Sequence, residues 1–504
     1  MSVRSAPVEG KGDLIGATFV RGEASESSVI HAVSPADFDD HIGAFTTTRS
    51  HAARAVAAAR DALPSWRRTG FEARRDALVR YRQALVARRD AIATAISRAV
   101  GKPLWEARTE ADALVAKVDI TLSAGQQLVA AREVEPGAFV RYRSIGVCAV
   151  LGPFNFPAHL ANGHIVPLLA AGNTVVFKPS EKAPQVGELM AECFADAGFA
   201  PGVINVVQGA ADVAQALVGD GRVDGVMFTG STQVGRAILR ASSEFAGRML
   251  ALEMGGNNPA IVLDDADVSY AAREIAFSAF VTAGQRCTAV RRVIVHERVA
   301  RSVIEQLSFA ARNSVIGPPS VDGAFMGPVI NEASREEALA LVEAHRASLD
   351  EVAALQRLEL DGVRGFYLRP GVYVAKGELA ADLGAREWFA PLVFVEVVRG
   401  DGREAIERAI ERANATRFGL AAAVFTASRE RFRAIADELG AGVVNWNRGT
   451  VGSSSKLPFG GVGDSGNHRA AGLYSALYCA DPVAELHVEA PKGGAVAPGL
   501  VLPA

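Results

Sequence analysis

The sequence predicts an α/β protein organised around two doubly wound parallel sheets. Three observations lead there. The chain has 504 residues, too many for a single hydrophobic core and enough for two to four domains. After about residue 140, short apolar runs alternate with helical stretches. The same rhythm starts again near Glu253.

The elements follow in order. The first 45 or so residues are rich in Gly and Ser, with short β-type runs, and fix no element. From Ser50 to Gly101, "HAARAVAAARDALPSW" and "FEARRDALVRYRQALVARRDAIATAISRAV" place apolar residues at three- and four-residue spacing. That is a helical pattern, and the arginines between form a solvated face. Next, "GVCAVLG", "NTVVFKP", "VINVVQG" and "VDGVMFTG" read as strands. Between and after them, "APQVGELMAECFADAG", "DVAQALVG" and "TQVGRAILRASSEFA" read as helices, and the alternation argues for a parallel sheet. The second block contains "SYAAREIAFSAFVTAGQ", "RRVIVHE" and "GLAAAVFTAS". From Val488 the tail is Pro- and Gly-rich and is expected to be irregular.

Composition excludes several classes. A net charge of -3, with acidic and basic residues interspersed, gives no nucleic-acid-binding surface. Four widely spaced cysteines (Cys148, Cys193, Cys287, Cys479) form neither a disulfide framework nor a zinc-ligand spacing, so no metal is expected. The N-terminus lacks the apolar core of a signal peptide, and no apolar run reaches membrane-spanning length. A cytoplasmic protein with no membrane partner is expected.

Four stretches can carry chemistry. In "VLGPFNFPAHLANGHIVPLLAAGNTVVFKPSE", Asn155 follows a buried strand at its carboxyl edge, where ligands of open α/β sheets lie. Its amide can donate to an oxyanion, although Asn is also a common turn residue. Lys178, Ser180 and Glu181 end the next strand and can either grip ribose hydroxyls or form a plain polar loop. In "MFTGSTQVGRAI", Gly230 permits a tight turn, Ser231 can cap the helix, and Gly235 allows close packing. Free N–H groups there favour a phosphate, but the G-x-G-x-x-G spacing is missing. "LALEMGGNNPAIV" places Glu253 in apolar surroundings that raise a carboxyl pKa and suit a general base; turn capping is the competing role. Finally, "TAGQRCTAV" presents Cys287 either as a nucleophile or as one more small core residue.

Taken in order, "PFNFP", "FKPSE", "FTGSTQVG", "LEMGG", "GQRC", "EWFAP" and "PFGG" make the chain resemble the NAD(P)-dependent aldehyde dehydrogenase superfamily from about residue 45 to 485. Within it, "LEMGGNNP", "SAFVTAGQRCT", "GVVNWN" and "PFGGVGDSGNHR" are similar to the N-succinylglutamate 5-semialdehyde dehydrogenase subgroup. Asn257, where most of the superfamily has Lys, and the "GNHR" segment both point to that subgroup.

The resemblance implies two doubly wound domains and a small β oligomerisation arm. Residues 1–126 and 144–252 would form the NAD-binding domain, 253–440 the catalytic domain, 127–143 and 473–488 the oligomerisation strands, and 441–472 a segment returning to the active site. It implies Cys287 as nucleophile, Asn155 with the Cys287 N–H as oxyanion donors, and Glu253 as the base that activates water. Lys178 and Glu181 would hold the adenine ribose with Ser180 alongside. Gly230, Ser231 and Gly235 would hold the pyrophosphate, Glu387 the nicotinamide ribose, and Phe389 would pack near it. Thr288, Gly452 and Ser453 would contact a substrate carboxylate, with Arg448 as a charge partner or an exposed loop residue. NAD is expected over NADP because Glu181 would repel a 2′-phosphate. The expected partners are a small aldehyde and further copies of the chain, as a homodimer or homotetramer.

Three other readings compete. A cysteine hydrolase would need a histidine base, and no Cys/His protease context is present. A CoA-acylating relative commonly lacks the Glu base. A silent structural homologue would have no reason to keep Asn155, Lys178, Glu253, Cys287 and Glu387 together. Two departures stand out: "WNRGTVGSSSKLPFGG" has Arg-Gly where relatives more often show Lys-Pro, and Ala390 replaces the usual Gly.

Overall fold

The computed structural model describes residues 5–489 and residue 499. The expected irregular tail therefore lies almost wholly outside the described residues. Two seven-stranded sheets dominate.

The first contains β1 (Asp13–Ile15), β2 (Thr18–Val20), β3 (Val147–Leu151), β4 (Thr174–Lys178), β5 (Ile204–Val206), β6 (Gly225–Thr229) and β7 (Met249–Glu253), in the order β7-β6-β3-β4-β5-β1-β2. From β7 to β5 the pairing is parallel. The chain runs outward from β3 through β4 to β5, then returns to the other side of β3 as β6. That reversal is the switch point at which open α/β sheets bind ligands.

Strand β3 is buried along its whole length because both sheet faces are covered. Its side chains alternate. Cys148 and Val150 join one apolar cluster, whereas Val147, Ala149 and Leu151 join another on the opposite face. Each fully buried valine or leucine contributes about 1.5–3 kcal/mol.

The second sheet contains β8 (Asn258–Val262), β9 (Val290–His296), β10 (Leu349–Ala353), β11 (Gly371–Ala375), β12 (Leu392–Val398), β13 (Ala421–Phe425) and β14 (Val443–Trp446). Their order is β10-β11-β12-β9-β8-β13-β14. Only edge strand β10 runs antiparallel. The same alternation sends Ala260 and Val262 to one face and Ile261 to the other. Ala390 is enclosed in this core with Ala283 and Trp388, which absorbs its extra methyl.

Outside these sheets, Ser27–Ser34 and Asp37–Thr48 pair antiparallel in the stretch where composition fixed no element. A separate three-stranded sheet joins Ala138–Ser144 to Arg132–Glu135 and to Ala480–Leu486. After β14 the chain crosses back to the first sheet. The Met254 N–H donates to the Ser465 carbonyl, and Asn467 clamps β7 through the Leu252 N–H (2.9 Å) and the Leu250 carbonyl (2.8 Å). Among the described residues, no helix is long and apolar enough to cross a membrane.

Candidate active site

The carboxyl ends of β3, β6 and β7 open onto a cavity of about 380 Å³, within the size range of small-molecule sites. Asn155, Glu253, Cys287, Thr288, Gly452 and Ser453 all line it. One further wall comes from α1 (Leu104–Ile120), whose Thr109, Glu110, Ala113 and Lys117 recur at helical spacing. Another comes from α2 (His159–Ala170).

Asn155 is buried beyond β3. One Nδ2 N–H donates to the Gln285 carbonyl at 2.9 Å, and Oδ1 accepts the Phe156 N–H. An amide nitrogen has a second N–H to offer. This bond ties the end of β3 to the loop carrying Cys287, two residues past Gln285.

That loop is strained and heavily braced. After α4 (Val268–Phe280), Thr282 and Ala283 adopt left-handed φ values of 59° and 53°. A β-branched residue rarely does so, and such conformations cost about 1–3 kcal/mol each. The buried Glu106 holds the turn: its Oε1 accepts from Thr282 Oγ1 at 2.5 Å and from Arg286 Nη2 at 2.9 Å. Arg286 Nε also donates to Thr282 Oγ1, and Arg291 donates to the Gly284 carbonyl. Asn258 Nδ2 donates to the Cys287 carbonyl at 2.7 Å. A Cβ on Gly256 would lie 2.3 Å from that same carbonyl, so the Gly-Gly turn admits no side chain there.

Electrostatics set the resting state. Burial pushes the Cys287 thiol up to about 12; Glu387 and Glu253 add to the rise, while Arg291 and the Thr288 N–H oppose it. Burial also raises the Glu253 carboxyl well above its ordinary value, against one N–H bond from Ala471. Among the described residues, Glu253 Oε2 has no hydrogen-bond partner. Glu387 is pushed up to about 7 by burial, moderated by Arg291 and the Gly256 N–H. Cys287 is therefore a thiol at neutral pH, and burial disfavours ionisation of the Glu253 carboxyl that shares its cavity.

Near the switch point, Ser231 caps α3 (Thr232–Ser242) by accepting the Val234 N–H. Gly235 is needed there, since its Cβ would sit 2.3 Å from Met254 Sδ. Gly230 donates to the Glu253 carbonyl. The buried Lys178 ammonium donates to the Pro179 and Gly209 carbonyls and lies 3.8 Å from Glu181, whose side chain is partly exposed. Ser180 accepts the Lys182 N–H. Glu387 accepts the Gly256 N–H at 2.8 Å, and a Cβ on Gly255 would strike its carboxylate. Phe389 lies edge-on to Phe154.

Arg448 is placed differently from the charge partner considered above. It is exposed, does not line the cavity, and donates from Nη2 to the Gly452 carbonyl at 2.9 Å, bracing its own loop. Several bracing residues carried no local signal. Glu106 acts across a separation of 176 residues and Arg291 within its own loop, and no pattern around either announces it. Asn257 and Asn467 stood inside quoted motifs, yet only the fold shows their roles. Asn257 donates to the Leu383 and Arg386 carbonyls and accepts from Arg292, fixing the segment just before Glu387.

Known proteins similar to this chain identify its family. A model of the aldehyde dehydrogenase family matches residues 20–481. An N-succinylglutamate 5-semialdehyde dehydrogenase of a Caulobacter species is 43% identical over 449 residues, 88% of this chain and 90% of that protein. The enzyme of that name from Chromohalobacter salexigens is 41% identical over 94% of this chain and 96% of its own. Aldehyde dehydrogenase C of Pseudomonas syringae, solved as a mutant with NAD+ and octanal, superposes with a TM-score of 0.87 at 29% identity, covering 95% and 96% of the two chains. A 1-pyrroline-5-carboxylate dehydrogenase from Thermus with bound NAD gives 0.87 at 27% identity, covering 95% and 93%. The chain belongs to the aldehyde dehydrogenase family.

Proposed function

We propose that the chain oxidises N-succinyl-L-glutamate 5-semialdehyde to N-succinyl-L-glutamate in arginine catabolism, using NAD in preference to NADP. The observation that carries this reading is the shared cavity, where Cys287, Asn155 and Glu253 face one space with Thr288, Gly452 and Ser453. It occurs in a chain 41–44% identical to enzymes of that name.

The residues fit a dinucleotide. A capped eleven-residue helix starts beside the switch point, with glycines where a backbone must approach closely. Lys178 and Glu181 would hold the adenine ribose with Ser180 beside them. Gly230, Ser231 and Gly235 would hold the pyrophosphate, and Glu387 the nicotinamide ribose against Phe389. The Glu181 carboxylate disfavours a 2′-phosphate. A bound NAD supplies the acceptor for the hydride.

The chain's own residues do the rest. The ionised Glu253 takes the Cys287 thiol proton and gives it up to solvent, Sγ bonds to the aldehyde carbon, and the carbonyl oxygen becomes an oxyanion. Asn155 Nδ2 and the Cys287 N–H donate to it, each contributing about 3–4 kcal/mol. Loss of hydride leaves a thioester on Cys287. Glu253 then takes a proton from water; the oxygen bonds to the acyl carbon, the C–S bond breaks, and Cys287 is restored. The apolar surroundings that raise the Glu253 pKa make its ionised form a stronger base.

The three-stranded arm exposes Val134 and Leu486, at 64% and 84%, and is the proposed contact of a cytoplasmic homodimer or homotetramer. Light scattering tests the assembly, and a stable monomer refutes it. A panel of succinylglutamate, glutamate and succinate semialdehydes with aliphatic aldehydes tests the substrate. The succinylated compound is expected to give the highest kcat/KM; a higher value for any other refutes the reading.

A further inference from the structure

Two cations line the cavity, Arg286 and Lys117. Arg286 is committed, because its guanidinium pairs with Glu106 at 2.9 Å and bonds Thr282. Lys117 has no such counter-charge. It is 2% exposed, and Nζ donates to the Gly472 carbonyl at 2.7 Å and to Ser475 Oγ at 3.0 Å. An ammonium has a third N–H to give.

Among the described residues, no carboxylate forms an ion pair with Lys117. Glu110, on the same helix and lining the same wall, is occupied by Lys102 at 2.9 Å and by the N–H groups of Ala158 and His159. Nearby, His159 Nδ1 lacks a partner among the described residues. Burial, with Lys117 and Lys102 close by, pulls that imidazole down to about 4, so it is neutral and adds no charge to the wall. His164, pulled down to about 3, is neutral too and shares a hydrogen bond with Tyr478.

A buried ammonium without a counter-ion is a costly arrangement, and it faces the space where the substrate must lie. We propose that Lys117 anchors a substrate carboxylate remote from the aldehyde and thereby selects carboxylated aldehydes over neutral ones. This rests on the substrate class proposed above. His159 lines the same cavity beside it. The ion pair forms only with bound substrate, so binding the carboxylate removes a desolvation cost that the free protein carries.

The test is a cycle of one substitution and one chemical change. Wild type and Lys117→Met are assayed with N-succinylglutamate semialdehyde, with its two monomethyl esters, and with octanal. Lys117→Met is expected to lower the acid-to-octanal ratio of kcat/KM by about 30-fold or more, mainly through KM. One monoester is expected to lose a similar factor in wild type and little further in Lys117→Met, which identifies the carboxylate bound. If effects of esterification and substitution simply multiply for both esters, the anchor is elsewhere and the inference falls while the substrate class stands. If wild type does not prefer the acid over octanal, the substrate class falls and the inference with it. Should Lys117→Met fail to fold, Lys117→Gln, which can still donate to Gly472 and Ser475, enters the same cycle with the same outcomes.

Discussion

Replacing Glu106 by alanine removes a carboxylate from the support beneath the nucleophile loop. Glu106 is fully buried, and Oε1 accepts one hydrogen bond from Thr282 and one from the Arg286 guanidinium. Hydrogen bonds to a charged group contribute about 1.5–3 kcal/mol each. Two of them agree with the roughly 3–5 kcal/mol lost when a buried ion pair is broken from one side. Arg286 would stay largely buried without its partner, and only the fold would then hold Thr282 and Ala283 at positive φ. Because Cys287 follows this turn directly, stability and catalysis should fall together. Urea denaturation of Glu106→Ala is expected to show a loss of about 3–5 kcal/mol. Steady-state NADH production should fall at least tenfold in kcat. A variant with wild-type kcat and a loss below about 1 kcal/mol would refute the bracing argument.

Two further predictions concern ionisation. In the ligand-free protein the Cys287 thiol is pushed up to about 12, so its alkylation by iodoacetamide should accelerate about tenfold per pH unit between pH 7 and 10. A plateau near pH 8.5 would show an unperturbed thiol. Glu387 is raised to about 7, so the folded state holds a proton that the unfolded chain releases above its lower pKa. Its contribution is fully present below about pH 4.5 and is lost as pH rises to 7. Relative to Glu387→Gln, wild type should lose about 3 kcal/mol of stability between pH 4.5 and 8. Parallel stability curves for the two proteins would refute this.

Short-range signals in the chain were enough to reveal the α/β architecture and to nominate residues that the fold brings to one cavity. Strand β3 is legible because burial on both faces requires an unbroken apolar run, and Asn155, Glu253 and Cys287 each follow a recognisable element. The remainder depends on contacts that no local pattern encodes. Glu106 and Thr282 meet across a separation of 176 residues, and on an amphipathic helix Glu106 resembles any solvated acid. Lys117 is disguised in the same way until α2 and the 452–472 segment close over it. Arg448 errs in the opposite direction: a charge near a glycine-rich loop invites a ligand, but its guanidinium reaches only the loop's own backbone. The paired strands before residue 48 were unreadable because pairing with each other, rather than apolar alternation, defines them.

In the proposed reaction Cys287 carries the acyl group and Glu253 is needed to release it. A single-turnover experiment on Glu253→Gln, with aldehyde and NAD in excess, tests both points in one mass spectrum of the acid-quenched protein. About one NADH per site is expected, then arrest, with the acyl mass on the peptide containing Cys287. Continued turnover at the wild-type rate, or a chain that releases NADH without any acyl group on Cys287, would contradict it.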